Sequence, residues 1–128
     1  MFQLDLKSRK SIYEQIVDKI KELILTEVLT PNEKLPSVRE LSKTLTVNPN
    51  TILKSYRELE KDGYVYTIGG SGCFVAEKKD RNTDKWKLEE LKHRIQNDIM
   101  ELQYLGLQPD EITGLIKQFI EKGVFYHD

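Results

Sequence analysis

The chain has 128 residues, 20 Lys and Arg against 21 Asp and Glu, 38% hydrophobic and 9% aromatic residues, enough for one small core with an appendage and too apolar for a disordered chain. No apolar run approaches the roughly 20 residues that cross a bilayer, and the first ten residues lack the apolar region of a secretory signal, so a cytoplasmic protein is expected. One Cys and two His exclude an internal disulfide and are too few for a closed zinc site, so neither metal nor cofactor is expected.

Over residues 11 to about 27, Ile12, Ile16, Ile20, Leu23 and Ile24 recur at the 3.6-residue period of a helix with one buried stripe, with Ser11 placed to cap it and Pro31 to close it. Ser37-Val38-Arg39-Glu40 has the spacing of a capping box and starts a short second helix whose Val38, Leu41 and Leu45 face inward. Thr46-Val47-Asn48-Pro49 reads as a turn. Asn48 as cap, with Pro49 where a missing N–H costs nothing, starts a third helix that runs to about Asp62 and ends at Gly63. The period then changes to two. Residues 64–68 and 73–76 flank Gly69-Gly70-Ser71-Gly72, which predicts a hairpin. Residues 77–84 contain no apolar residue and read as a linker. Beyond them Trp86, Leu88, Leu91, Ile95, Ile99, Leu102 and Leu105 predict a helix of about 20 residues. Gly106 to Gln108 breaks it, and Pro109-Asp110-Glu111 opens a last helix carrying Ile112, Leu115, Ile116, Phe119 and Ile120 as far as Gly123.

Three helices with a sharp connection between the second and third, then a hairpin, make the layout of a winged helix-turn-helix. The expected fold is mainly α with a small β-hairpin, followed by a C-terminal helical hairpin: residues 1–78 as a DNA-binding domain, residues 79–128 as a two-helix dimerisation domain. The charge supports this division. Residues 1–79 hold 13 Lys and Arg against 11 Asp and Glu, whereas residues 80–128 hold 7 against 10. Between residues 34 and 57, Lys34, Arg39, Lys43, Lys54 and Arg57 face only Glu40, a local basic footprint. Leu41, Leu45, Val47 and Ile52 form a small core beneath the turn, with Ser42 small enough for a close helix crossing. Asn50, Thr51 and Lys54, with Ser55 beside them, are left outward at the start of the third helix and suit a major groove. Asn48, Asn50 and Thr51 also offer backbone N–H groups to phosphate. Arg57 is open between a DNA contact and an intrahelical ion pair, and Lys78, Lys79 and Arg81 between a solvated linker and phosphate contacts.

Cys73 has no basic neighbour to lower its pKa and reads as a small hydrophobe rather than a redox sensor. His93 and His127 are too far apart to suggest metal sensing. Trp86 and Phe119 fit core or interface packing better than an effector pocket. An enzyme is disfavoured, with no nucleophile beside a His and no phosphate loop, since the glycines of residues 69–72 open no helix. A winged-helix protein-interaction module would carry acidic or apolar residues where Asn50, Thr51 and Lys54 stand.

Ile12-Tyr13-Glu14-Gln15-Ile16, Leu35-Pro36-Ser37-Val38-Arg39-Glu40-Leu41, Asn50-Thr51, Tyr56-Arg57-Glu58-Leu59-Glu60 and Gly70-x-Gly72-x-Phe74-Val75 follow one another across residues 11–76. In this order they resemble the DNA-binding domain of the GntR family of bacterial transcription regulators. The short helical C-terminal part, Asn48-Pro49-Asn50-Thr51 and Lys54-x-Tyr56 resemble its smallest, YtrA-like subclass, whose C-terminal helical pair dimerises. The resemblance implies a sequence-specific regulator, a repressor bound as a homodimer to a palindromic operator in double-stranded DNA. It implies DNA contacts from Arg39, Asn50 and Thr51, and a wing in which Gly70 or Gly72 lets the backbone approach the minor groove. With the local cations and caps, the expected DNA-binding set is Lys34, Ser37, Arg39, Asn48, Asn50, Thr51, Lys54, Gly70 and Gly72. Many members carry Arg where Pro49 and Leu53 stand here and Gly where Thr46 stands, so base readout rests on other positions.

The expected dimer interface is Trp86, Leu91, Ile95, Ile99, Leu102, Ile112, Ile116 and Phe119, because an isolated two-helix hairpin cannot bury its own stripes. Two copies about a two-fold axis cover both stripes and set two recognition helices about 34 Å apart, one turn of DNA. No small-molecule effector is identified. Two helices enclose little volume, so one would sit between subunits.

Overall fold

The computed structural model describes residues 3–77 and 85–122. The basic linker residues Lys78, Lys79 and Arg81, the stop at Gly123 and His127 lie outside the described residues. The chain divides into two compact units, residues 1–82 and 83–128.

The first unit contains α1 (Ile12–Leu25), α2 (Val38–Leu45), α3 (Pro49–Lys61), β1 (Val65–Ile68) and β2 (Gly72–Val75). Local signals start each helix. The Ser11 hydroxyl accepts the Glu14 N–H at 3.2 Å while the Glu14 carboxylate accepts the Ser11 N–H at 3.3 Å, the reciprocal cap that satisfies two orphan donors. Ser37 and Glu40 repeat the device on α2 at 3.0 and 2.9 Å. The first helix, expected to run to about residue 27, closes two residues earlier and well before Pro31. It ends at Leu25, where Glu27 adopts φ +62° and the Leu29 N–H reaches back to the Leu23 carbonyl at 2.9 Å, a left-handed closure made without glycine. α3 closes the same way with glycine: Gly63 has φ +81° and the Tyr64 N–H donates to the Leu59 carbonyl at 2.9 Å.

The core joins Ile16, Val17, Ile20 and Ile24 of α1, Leu41 of α2, Ile52, Tyr56 and Leu59 of α3, and Val65 and Val75 of the hairpin. Val38, Leu45 and Val47 are half-buried against it. β1 and β2 pair antiparallel with Val65 opposite Val75 and Tyr66 opposite Phe74. The period-two reading places these two pairs on opposite faces, the valines in the core and the stacked aromatics, centroids 5.6 Å apart, outside. Tyr64 precedes the strand. The hairpin has a further partner that the sequence did not announce. The Asn32 N–H donates to the Val75 carbonyl at 2.7 Å, the Val75 N–H to the Glu33 carbonyl at 2.9 Å and the Leu35 N–H to the Cys73 carbonyl at 2.8 Å, with Lys34 bridged to Phe74. The segment before α2 thus runs along the edge of the wing.

The second unit is α4 (Lys85–Tyr104) and α5 (Pro109–Lys122). Gly106, at φ +100°, turns the chain, with the Leu107 N–H on the Leu102 carbonyl at 3.1 Å. The Glu111 carboxylate then caps α5 by accepting the Gln108 N–H at 2.9 Å. α4 buries none of its residues and α5 only Ile112. Trp86 is 84% exposed, Ile95 57% and Phe119 44%. Helical periodicity is present, and most of its apolar side chains remain exposed or only half-buried.

Candidate nucleic-acid interface

The turn between α2 and α3 is fixed by Ser42. Its hydroxyl donates to the Val47 carbonyl, and its own carbonyl accepts the N–H groups of Thr46 and Val47. Ser42 therefore does more than leave room for a helix crossing. Thr46, which caps α2, lies in the left-handed region at φ +55°.

At the start of α3 the Asn48 carboxamide oxygen accepts the Asn50 N–H at 2.8 Å. The Asn48 carbonyl accepts the Thr51 N–H at 2.9 Å and the Ile52 N–H at 3.4 Å. Pro49 has no donor. For Asn50 and Thr51 this corrects the expectation of backbone phosphate contacts, since their N–H groups are engaged within the helix cap. What the end of α3 presents is side chains, the exposed Asn50 amide, the half-exposed Thr51 hydroxyl and the exposed Lys54. Ser55 does not join them. It is fully buried, and its hydroxyl donates to the Thr51 carbonyl at 2.9 Å and the Tyr13 carbonyl at 3.3 Å, so a small polar residue meets the core with its hydrogen bond satisfied. Tyr56 likewise sends its hydroxyl to the Pro36 carbonyl at 2.7 Å, and burial raises its pKa far above the ordinary phenol.

Arg39, Lys43 and Arg57 are exposed, and among the described residues none of the three makes an ion pair. The intrahelical pairing considered for Arg57 is therefore not formed. Lys34 is exposed and crosses the wing. A Cβ on Gly72, whose φ is +121°, would come 2.9 Å from Lys34 Cε, so glycine here both turns the chain and clears the lysine stem. Gly70, at φ +81° with open space around it, sits in the tip of the turn. Ser37 uses its oxygen and N–H on the Glu40 cap. Hydrogen bonding to the carboxyl from the Ser37 backbone N–H and then from its side chain, followed by the positive charge of Lys34, holds Glu40 below its ordinary value. Burial pushes the Cys73 thiol up, in keeping with a packing role.

Three side chains gain parts that the sequence reading left unassigned. Gln15 holds the N-terminal segment, its amide donating to the Asp5 and Lys10 carbonyls at 2.8 and 3.0 Å and its oxygen accepting the Asp5 N–H at 2.7 Å. This sets Leu4 and Leu6 beside Thr46, Val47, Asn48 and Thr51 around an open groove of about 650 Å³. Asn32 joins the wing to the chain beyond it, accepting from the Tyr66 hydroxyl at 2.8 Å and donating to Glu77 at 2.9 Å. Tyr13 carries Lys54 on its ring, with Nζ 4.2 Å from the centroid. The signal was visible for two of them: a Tyr and a Gln on the flank of an otherwise apolar stripe in Ile12-Tyr13-Glu14-Gln15-Ile16.

The family profile described as bacterial regulatory proteins, gntR family, matches residues 12–75. The HTH-type transcriptional repressor YtrA of Bacillus subtilis (strain 168) is 36% identical over 118 residues, which span 92% of this chain and 91% of that repressor. A crystal structure described as a transcriptional antiterminator from Listeria monocytogenes EGD-e superposes with a TM-score of 0.90 at 38% identity, covering 100% of this chain and 96% of that one. The DNA-binding domain of AraR in complex with operator ORE1 superposes with a TM-score of 0.52 at 29% identity, covering 59% of this chain and 93% of that domain.

Proposed function

Because the chain belongs to the gntR family of bacterial regulatory proteins, we propose that it is a cytoplasmic repressor that occupies a palindromic operator as a homodimer. It is a DNA-binding transcription regulator of the winged-helix class and not an enzyme. Among the described residues no helix is long and apolar enough to cross a membrane. In this reading residues 1–78 bind DNA and residues 79–128 pair two copies. Asn50 and Thr51 read base edges in the major groove, Lys34, Arg39 and Lys54 neutralise phosphates, and Ser37 and Asn48 hold the caps that aim α2 and α3. Gly70 and Gly72 shape the wing tip for the minor groove.

The observation that carries the reading is the start of α3. Its backbone donors are engaged internally, and its polar side chains are exposed beside cations without carboxylate partners. Such a helix end fits the wide major groove of B-DNA, whereas the deep, narrow groove of duplex RNA admits no helix. This favours a DNA-bound repressor over an RNA-directed role.

The test is footprinting of the full chain on the DNA upstream of its own coding sequence, followed by a salt titration. With about 3 to 4 phosphate contacts per protomer, log K should fall against log salt with a slope of roughly −5 to −7 for the dimer. A slope near zero on every duplex would remove the DNA reading, and a half-length footprint would remove the homodimer.

A further inference from the structure

We propose that residues 5–10, clamped by Gln15 beside the recognition helix, form a phosphate-binding loop through which Lys7 and Arg9 add a backbone contact to the operator. The proposal rests on the reading of α3 as the recognition helix and gives the interface a surface outside the helix-turn-helix and the wing.

One carboxamide closes the loop at both ends. The Gln15 oxygen accepts the Asp5 N–H at 2.7 Å, and its amide donates to the Asp5 carbonyl at 2.8 Å and to the Lys10 carbonyl at 3.0 Å. Inside the loop the Asp5 carboxylate accepts the Lys7 N–H at 2.9 Å, the Asp5 carbonyl accepts the Ser8 N–H at 3.3 Å, and the Ser8 hydroxyl accepts the Lys10 N–H at 3.1 Å. The backbone is therefore set before a partner arrives, which spares binding the cost of ordering a free segment.

The charges on this loop are sorted. Lys10 is paired with Asp18, and the Asp5 carboxylate is used in the turn. Lys7 and Arg9 are exposed, and among the described residues neither forms an ion pair. A phosphate that meets them breaks no internal contact. Their place in the fold supplies the rest. Leu4, half-buried against the core, and the exposed Leu6 line one groove with Asn48 and Thr51, so Lys7 follows directly on a residue beside the start of α3. The major groove is about 12 Å wide and walled by two phosphate backbones. A fixed loop flanking the inserted helix end meets one of those walls. To the phosphate contacts of Lys34, Arg39 and Lys54 it adds one.

In the test, the full-length chain selects a duplex from a random-sequence pool, and affinity for that duplex is measured across salt concentrations. Removing both cations, Lys7→Ala with Arg9→Ala, lowers affinity about five- to thirty-fold and makes the slope for the dimer shallower by roughly 2. Preference for the selected duplex over a scrambled one stays within about two-fold, because a phosphate contact carries no sequence information. Exchanging the cations, Lys7→Arg with Arg9→Lys, keeps affinity and slope. Gln15→Leu leaves every charge in place, loses most of the same affinity, and causes no further loss when added to the double alanine variant. Should Gln15→Leu not melt cooperatively, Gln15→Met preserves the unbranched side chain without its amide and is expected to behave the same way. Lys61→Ala, at the far end of α3, leaves the slope unchanged. An unaltered slope for the double alanine variant overturns the proposal. So does an additive loss from Gln15→Leu, which would mean that the carboxamide acts other than through the loop, or an equal change for Lys61→Ala, which would assign the effect to net charge. In each of these outcomes the wild type still binds its duplex and the DNA reading stands. A wild-type chain that selects no duplex overturns that reading and the proposal together.

Discussion

Thr46→Gly should make this protein more stable. Thr46 is a β-branched residue held at φ +55° and ψ +51°, where its Cβ crowds the carbonyl that follows, at a cost of roughly 1–2 kcal/mol. Its side chain is exposed and makes no hydrogen bond among the described residues, so glycine removes no contact of comparable worth. Against the relief stands the larger conformational freedom of glycine in the unfolded chain, roughly 0.5–1 kcal/mol. The net gain is about 0.5–1 kcal/mol, which for a unit of this size raises the melting temperature by roughly 2–8 °C. The Ser42 carbonyl and hydroxyl still hold the turn through Val47, so operator affinity should stay within about two-fold. Thermal unfolding followed by circular dichroism measures the effect, with Thr46→Ala as the control that shortens the side chain without relieving the backbone. Equal stabilisation by alanine and glycine, or a lower melting temperature for glycine, would refute the backbone argument.

Arg39→Ala should weaken operator binding by about 1–3 kcal/mol with an unchanged dichroism spectrum, because this exposed side chain supports no core contact; unchanged affinity would remove Arg39 from the interface. The Glu40 carboxyl is held below its ordinary value of 4.5 by the Ser37 cap, so its stabilising contribution is complete above about pH 4.5 and is lost as pH falls through the lower native value. Glu40→Gln keeps the capping geometry and should flatten that part of the acid-unfolding curve; an identical pH profile would show that the cap is not coupled to the charge. Ile99→Asp, a charge in the middle of the α4 stripe, should give monomers in analytical ultracentrifugation and lose palindrome binding far more than half-site binding, and a dimer of full affinity would place the interface elsewhere.

What the sequence showed depends on how local the cause is. Caps at Ser11, Ser37 and Asn48 were legible because each is a contact between residues two or three apart. The glycine stop at Gly63 was legible for the same reason. The end of α1 was read to within two residues, but not its left-handed closure at Glu27, which no residue type advertised. The edge segment with Lys34 was missed because residues 32–35 have no alternation of their own. Their pairing with β2 comes from residues some forty positions away. Ser55 was misplaced by weighing residue type over position. With Ile52, Tyr56 and Leu59 it lies on the buried stripe, and two carbonyl acceptors satisfy the hydroxyl there. In the candidate interface the residue types were legible, but not the use of backbone donors by Asn48 or the seating of Lys54 on Tyr13, both of which require coordinates.

The two units answer different deficits, and the proposed homodimer meets both. In the proposed reading a single DNA-binding unit reaches base edges with few side chains, chiefly Asn50 and Thr51, and holds phosphates with a handful of cations, so one half-site carries limited information and modest affinity. A second half-site bound by a tethered copy adds affinity through effective concentration instead of through further contacts on either unit. A tether that positions two recognition helices one DNA turn apart must itself be rigid, and α4 and α5 by themselves bury only Ile112. The apolar side chains that the hairpin leaves exposed, among them Trp86, Ile95 and Phe119, are the material for that rigidity once a second copy covers them. Under this reading, dimer formation and operator spacing are one property, and a substitution that loosens the helical pair without separating it would broaden the range of half-site spacings the protein accepts.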